Sequence, residues 1–267
     1  MAARVLHVSD LHVGRRETPE TLAALGDLTA RIEPQLLLAT GDLSHRGRRD
    51  QLERSSEQLR ELGVASLLAV PGNHDIPYTF PGRFTRTYAE WERVFGTTEP
   101  VYTSEALHVV GACSVRPWRQ QSGALSSETL GWIETALARA HAGALRVVAL
   151  HHHLAAPPWR AARKRPLKDR DTALERLASA GAELVAAGHV HQGGVAERRE
   201  FEALEDGRTG SVVLATVPGL GRPRPRRRGE ARGVNVYEAD AASLTVTTFA
   251  WDGAAFAETG RRVFPRG

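Results

Sequence analysis

The sequence predicts an α/β fold in which strands alternate with helices through the first two-thirds of the chain and strands predominate in the last third. Two observations predict it. Short apolar runs rich in valine and leucine alternate with segments of helical periodicity, and after residue 193 only strand-like segments follow. The chain has 267 residues, 42% hydrophobic and 25% charged, which excludes a disordered chain and suffices for a core. We expect one domain over residues 1–267.

The predicted elements follow in a regular order. The first strand covers residues 4–8, and the first helix covers residues 19–32, where Thr18 is a suitable N-cap before a proline. Ser126 or Ser127 is a similar cap for the helix at 126–142. The other helices are predicted at 50–62, 84–95 and 171–180, and the other strands at 36–40, 64–70, 107–114, 145–150, 183–187, 193–200, 211–217, 233–238, 243–251 and 255–263.

Two features concern the location of the protein. The sequence contains no apolar run of the roughly 18–20 residues that a membrane helix needs, and its first residues lack the apolar segment of a secretory signal. The single cysteine, Cys113, cannot form an internal disulfide, which fits a reducing compartment. We therefore expect a cytoplasmic protein without a membrane span.

The basic side chains are clustered. The net charge is +4, and six basic residues lie within 160–170, while six arginines lie within 222–232. Such clusters are usually solvated surface, but they also suit an anionic partner. The segment at 222–232 is therefore either a flexible surface loop or a positive wall for phosphate groups, with Arg222 and Arg224 as candidate contacts.

Five of the predicted strands end in a short polar signature. Ligands of α/β sheets bind beyond the carboxyl ends of the strands, so we expect the five signatures to converge on one edge of a sheet. In chain order they are Asp10-Leu-His12, Gly41-Asp42, Gly72-Asn73-His74-Asp75, His151-His152-His153 and Gly188-His189-Val-His191.

The side chains of these signatures are typical of metal ligands. Two carboxylates, one amide and four imidazoles, with no thiolate, suit ions such as Mn, Fe or Zn better than Ca. Seven ligands are too many for one ion that also binds water, but they suit two ions that clamp a phosphoryl group and activate a water. The glycines of the signatures fit sharp turns in which the backbone approaches the ions closely. The candidate ligands are Asp10, His12, Asp42, Asn73, His151, His189 and His191.

The ordered set of signatures resembles the calcineurin-like metallophosphoesterases, most of all their bacterial class III cyclic nucleotide phosphodiesterase branch. The resemblance implies a four-layer αββα sandwich, with two mixed sheets flanked by helices and two metal ions at the sheet edges. It also implies that one ion is held by Asp10, His12 and His191, that the other is held by Asn73, His151 and His189, and that Asp42 bridges them.

The same resemblance implies catalytic roles for two residues. His74 would stand near the leaving-group oxygen, either as general acid or as a stabiliser of its charge, and Asp75 would orient that histidine. The family usually has two histidines and a proline where this chain has three histidines. We expect His151 to be the ligand, His152 to be the alternative ligand or a substrate contact, and His153 to line the cleft or be exposed.

Other side chains near the signatures have two interpretations each. His45 is either a substrate contact or an ordinary loop residue. Tyr78, Trp118 and Trp159 are suited either to stacking on a base or to packing. His7 and Cys113 are expected in the core.

The expected function is hydrolysis of a phosphodiester, such as a cyclic nucleotide or another small diester, by a metal-activated hydroxide. The alternative is a nuclease, because residues 10–14 resemble the start of double-strand-break-repair nucleases and the basic loops at 160–170 and 222–232 suit a nucleic acid. A non-catalytic scaffold on the same fold, like the retromer subunit of the superfamily, is disfavoured because all seven ligand positions and His74 are present. The sequence fits a monomer or a homodimer.

Overall fold

The structure is a computed structural model, and it describes residues 2–15, 19–119, 121–155, 164–199, 211–221 and 231–266. The predictions for Thr18, Trp159, Arg222 and Arg224 fall outside these residues, as do residues 160–163 and 222–230 of the two basic loops. Within the described part of the chain, every helix is too short or too polar to cross a lipid bilayer.

The described strands form two mixed sheets of six strands each. Sheet A contains, in spatial order, β12 (Phe256–Pro265), β11 (Ser243–Trp251), β10 (Gly233–Ala239), β1 (Ala3–Val8), β2 (Leu36–Ala39) and β3 (Leu67–Ala69). Sheet B contains β4 (Val101–Thr103), β5 (Leu107–Gly111), β6 (Leu145–Leu150), β7 (Leu184–Ala187), β9 (Ser211–Thr216) and β8 (Gly194–Arg199). Strands β1 to β3 are parallel to one another, as are β5, β6, β7 and β9. Strands β10, β11 and β12 of sheet A and strands β4 and β8 of sheet B pair antiparallel with their neighbours.

Helices cover the outer face of each sheet. On sheet A lie α1 (Pro19–Ile32), α2 (Arg49–Arg60) and α4 (Ala89–Phe95), and on sheet B lie α5 (Ser127–Leu137) and α6 (Arg170–Ser179), while α3 (Gly82–Thr85) is a single turn before α4. The order of layers is therefore helix, sheet, sheet, helix, as the resemblance implied.

Strand periodicity divides the apolar side chains between the layers. Successive residues of a strand point to opposite faces, so Val5 and Leu38 enter the core between the sheets, whereas Leu6 and Leu37 enter the core beneath the helices of sheet A. His7, expected in the core, is fully buried there. Its ring nitrogens lie 2.6 Å from the Tyr237 hydroxyl and 2.8 Å from the Thr40 hydroxyl, so the burial of this polar ring is compensated.

Several elements differ from the prediction, and the strands predicted at 64–70 and 107–114 are shorter, at Leu67–Ala69 and Leu107–Gly111. The helix predicted at 84–95 is wrong as one element, because Arg86 leaves the helical conformation with φ −141° and ψ 44°. Just before it, Arg83 turns inward and donates hydrogen bonds to the carbonyls of Pro77 and Pro117. The helix predicted to reach residue 142 ends at Leu137, although its cap at Ser126 is confirmed by a 3.1 Å bond from the Thr129 N–H. The short edge strand β4 was not predicted.

Removal of buried apolar volume between the sheets should destabilise the protein far more than removal of exposed volume. Leu145 begins β6, is 0% exposed and lies in the core between the sheets, whereas Val263 on the edge strand β12 is 62% exposed. We expect Leu145→Ala to lower the free energy of unfolding by about 2–5 kcal/mol. Val263→Ala should change it by less than about 0.5 kcal/mol. Urea titration in the presence of a chelator measures both, and equal losses would contradict this assignment of the core.

Candidate metal centre

The five polar signatures meet where the carboxyl ends of the parallel strands of sheets A and B face each other. The His189 N–H, which follows β7, donates to the Asp10 carboxylate at 2.9 Å. The His151 ring, which follows β6, lies 2.7 Å from the Thr40 carbonyl after β2. The His74 N–H, after β3, donates to the Asp42 carboxylate at 2.8 Å. Loops from both sheets therefore build one site.

One group of candidate ligands consists of Asp10, His12 and His191. One ligand atom from each residue lies within 4.8 Å of the others, and all three residues are buried. The Nε2 of His191 lies 3.1 Å from Asp10 Oδ1 and 3.4 Å from the Nε2 of His12. This spacing fits three donors around one ion.

A second group consists of Asp42, His151 and His189, again with ligand atoms within 4.8 Å of one another. The Nε2 of His151 lies 3.4 Å from Asp42 Oδ1 and 3.1 Å from the Nδ1 of His189. The other ring nitrogen of each histidine faces a backbone carbonyl. The Nδ1 of His151 lies 2.7 Å from the carbonyl oxygen of Thr40, and the Nε2 of His189 lies 3.2 Å from that of Gln121. Because a carbonyl only accepts, these nitrogens carry hydrogen, and the nitrogens that face the second group are the ones that can offer a lone pair to a cation when deprotonated.

Asp42 belongs to the second group and also faces the first. Its Oδ1 faces His151, while its Oδ2 lies 3.9 Å from the Nε2 of His12 in the first group. The Oδ2 of Asp42 and the Oδ1 of Asn73 are both buried, and neither has a hydrogen-bond donor among the described residues. Buried oxygens without a donor are costly unless a cation or water satisfies them. The residues present therefore fit metal ions, and Asp42 has the position of a shared ligand.

The backbone at the candidate ligands is strained. Seven described non-glycine residues have positive φ, and five of them are candidate ligands, with φ between 51° and 69°: Asp10, His12, Asp42, His189 and His191. This left-handed conformation is unfavourable for side chains with a Cβ. The five residues lie shortly after the ends of strands, so the strain is concentrated where the donors come together.

The turns also approach one another too closely for larger residues. A Cβ on Gly72 would lie 2.2 Å from the backbone nitrogen of Asp42, and a Cβ on Gly188 would lie 2.0 Å from the Ser9 hydroxyl. Ser9 in turn donates to the Asp10 carboxylate at 2.7 Å. The glycines therefore allow the loops of the two sheets to close around the ligands.

Burial and charge set the protonation of the site. Burial lowers the pKa of His12 to about 3 and holds the pKa of His189 well below its usual value. Burial acts in the same direction on His151, but the carboxylate of Asp42 outweighs it and raises the pKa to about 9. Burial disfavours an ionised Asp42, yet the His151 and His74 rings outweigh it and lower the pKa of this carboxyl. The carboxylate is thus ionised at neutral pH, as cation binding requires.

His74 is half-buried beside the first group, and its ring centroid lies 4.9 Å from that of His12. Its Nδ1 lies 2.9 Å from the carbonyl oxygen of His45, which leaves Nε2 for another partner. The Asp75 carboxylate accepts hydrogen bonds from the N–H groups of Leu43, Ser44 and Gly72 and from the Ser44 hydroxyl. The expectation that Asp75 orients His74 is therefore wrong, since Asp75 joins two loops and the His45 carbonyl holds the ring.

The other histidines of the triple run are buried. His152 is 0% exposed, its Nδ1 lies 2.9 Å from the Ser114 hydroxyl, and its ring centroid lies 4.7 Å from that of His189. This position corrects the expected substrate contact, because a ring enclosed by Ser114 and Gly123 supports His189 instead. His153 is buried as well, so the exposed alternative is wrong, and its lining of the cleft stays a prediction. His45 is half-buried and stacks on His74, with ring centroids 5.6 Å apart.

The sequence reasoning missed Ser114, Gln121 and the turn at 219–221. A Cβ on Gly219 would lie 2.9 Å from the Nδ1 of His191, and the Gly221 N–H donates to the Asp10 carbonyl at 2.8 Å. The glycine spacing after β9 is the signal that would have indicated a close approach. Gln121 offers no such signal, because only its backbone carbonyl contacts His189.

Comparisons with known proteins agree with this geometry. A sequence model of the calcineurin-like phosphoesterase family matches residues 3–193. A probable cyclic nucleotide phosphodiesterase from Synechococcus sp. is 31% identical over 206 residues, which cover 72% of this chain and 74% of that protein.

Two solved structures share the fold at low sequence identity. A purple acid phosphatase from yellow lupin (Lupinus luteus) has a TM-score of 0.68 and 13% identity, with 100% of this chain covered but only 54% of the lupin chain. A dimetal phosphatase from Danio rerio has a TM-score of 0.63 and 14% identity, with 98% of both chains covered. The family match spans all five signatures, and the chain belongs to the calcineurin-like phosphoesterase family.

Proposed function

We propose that the chain hydrolyses phosphodiesters at a centre of two metal ions, and that its substrates are small diesters such as cyclic nucleotides. One observation carries this proposal. Two buried groups of Asp and His ligand atoms, each within 4.8 Å, are joined by Asp42, whose Oδ1 faces His151 of its own group and whose Oδ2 faces His12 of the other. The name of the 31% identical relative from Synechococcus sp. supports a diester as substrate.

The candidate ligands form two sets, one for each ion. Asp10, His12 and His191 would hold the first ion, with Asp42 as the shared ligand. The buried and otherwise unsatisfied Oδ1 of Asn73 would join His151 and His189 around the second. Imidazole, carboxylate and amide donors without thiolate suit Mn, Fe or Zn.

When bound, two such ions would offset the negative charge of the phosphate oxygens and would supply an activated water as the nucleophile. The chain's own residues complete the reaction. The Nδ1–H of His74 donates to the carbonyl of His45, so the ring is fixed and Nε2 is the atom available to substrate. In the protonated ring, Nε2 gives its proton to the departing ester oxygen, which leaves as a neutral alcohol. The products are a phosphomonoester and an alcohol, and for a cyclic diester both groups belong to one ring-opened molecule.

Other expectations remain predictions. A nuclease would use the basic segments, whose residues 160–163 and 222–230 lie outside the described part. A non-catalytic scaffold on the same fold has no need for metal ligands, so the presence of all seven ligand positions and His74 disfavours it. The cytoplasmic location, the monomeric or homodimeric state and Mn, Fe or Zn as the metals likewise stay predictions from the sequence.

Loss of the shared carboxylate should remove metal and activity together. We expect Asp42→Asn to weaken Mn²⁺ affinity by at least about 100-fold, since even groups that only support ligands cost 10–100-fold. Asp27→Asn, a change of the same type at an exposed position on α1, is the matched control and should bind two ions per chain like the native protein. Metal analysis after dialysis and hydrolysis of bis-p-nitrophenyl phosphate measure the two effects, and circular dichroism checks that both variants are folded. Full metal content in a folded Asp42→Asn protein would contradict the assignment.

The substrate class is tested on the Mn²⁺-loaded protein with bis-p-nitrophenyl phosphate, 3′,5′- and 2′,3′-cyclic nucleotides and single-stranded DNA or RNA. We expect turnover of the small diesters that changes little between 50 and about 200 mM salt, because few phosphates are contacted. His74→Asn should lower kcat by about 100- to 10,000-fold while metal content is kept. Cleavage of polynucleotides alone, falling steeply with salt, would replace the proposal by the nuclease alternative.

A further inference from the structure

A series of flat side chains leads from the metal centre to the surface. The ring of His12, a candidate ligand, lies 4.9 Å from that of His74, which lies 6.1 Å from the ring of Tyr78 at an angle of 40°. Tyr78 is 47% exposed, so the series ends in contact with solvent. The guanidinium carbon of Arg46 lies 5.6 Å from the centre of the Tyr78 ring, within cation–π range.

The backbone around Tyr78 is held in place. A Cβ on Gly47 would lie 2.4 Å from the backbone of Ile76, so the loop that carries Arg46 packs directly on the segment before Tyr78. Ile76 is fully buried. Arg83, only 6% exposed, donates to the carbonyls of Pro77 and Pro117 and ties the segment after Tyr78 to a neighbouring loop. An exposed aromatic ring on such a fixed support is preorganised for binding.

We propose that Tyr78 is the platform on which the planar aromatic group of the substrate stacks while its phosphate lies at the metal centre. Tyr78 is then a specificity-determining residue, and Arg46 positions its ring. The inference rests on the proposed function, because it takes the phosphate to bind between the two ligand groups.

The chemistry of the site favours this occupant. Every nucleobase has a π face, and stacking on an aromatic side chain contributes binding that does not depend on which base is present. The Tyr78 ring is connected to the candidate ligand His12 through the single ring of His74, so a group stacked on Tyr78 would lie beside the metal centre. A substrate without an aromatic group would gain nothing from Tyr78, so the residue should discriminate between classes of diester and not between bases.

The direct test compares the binding of adenosine 5′-monophosphate and inorganic phosphate to the Mn²⁺-loaded protein by calorimetry. We expect Tyr78→Ala to weaken binding of the nucleotide by about 5- to 100-fold, while binding of phosphate changes by less than about twofold. Tyr78→Phe keeps the ring and should bind the nucleotide within about threefold of the native protein. With bis-p-nitrophenyl phosphate, Tyr78→Ala should raise KM by the same factor and leave kcat within about threefold.

Phe80→Ala is the matched control. Phe80 is on the same loop and is 82% exposed, and its recorded ring contact, at 6.5 Å, is with Phe84 and not with His74. This variant should retain the native ratio of nucleotide to phosphate affinity. Equal losses for nucleotide and phosphate in Tyr78→Ala, or no loss for either, would overturn the proposal.

The outcomes separate the two proposals. Nucleotide binding that depends on Tyr78, in a protein that cleaves no diester, would support the platform and refute the proposed reaction. Diester cleavage by the native protein, with the ratio of nucleotide to phosphate affinity unchanged in Tyr78→Ala, would support the proposed reaction and refute the platform. A change in oligomeric state on gel filtration with an unchanged ratio would assign the exposed ring to contacts between copies and would also overturn the platform.

Discussion

Asp10 and Asp42 place two carboxylates where almost no solvent reaches them, since they are 0% and 1% exposed. An ionised carboxylate in such surroundings is costly unless a cation or several donors compensate it. The neighbouring imidazoles supply positive charge only when protonated, and burial opposes protonation of His12 and His189, although Asp42 raises the pKa of His151 to about 9. Cations between the carboxylates would satisfy both sets of groups at once. The left-handed backbone of five candidate ligands is consistent with this, because a bound ion offsets the strain of holding the donors together.

The centre depends on the packing of both sheets. Sheet A supplies both carboxylates, His12 and Asn73, and sheet B supplies His151, His189 and His191. Hydrogen bonds cross the junction from His189 to Asp10 and from His151 to the carbonyl of Thr40. The apolar core between the sheets therefore fixes the separation of ligands as well as the stability of the fold. A shift of one sheet against the other would misplace ligands of both groups.

Much of this arrangement could be predicted because it follows from local pattern. The strands are short apolar runs, each polar signature directly follows a strand, and parallel strands bring their carboxyl ends to one edge. The features that could not be predicted depend on contacts between distant residues. His74 is held by a carbonyl 29 residues away, and His152 by a hydroxyl 38 residues away. The break between α3 and α4 likewise accompanies the hydrogen bond from Arg83 to the distant carbonyl of Pro117. The helical periodicity of residues 84–95 carries no information about that contact.

Anomalous diffraction from crystals grown with Mn²⁺ tests the central claim most directly, because it locates the ions without reference to activity. We predict two peaks, one among Asp10, His12 and His191 and the other among Asn73, His151 and His189, with the Asp42 carboxylate between them. A single peak, or peaks away from Asp42, would contradict the two-metal centre and the division of ligands on which the proposed reaction depends.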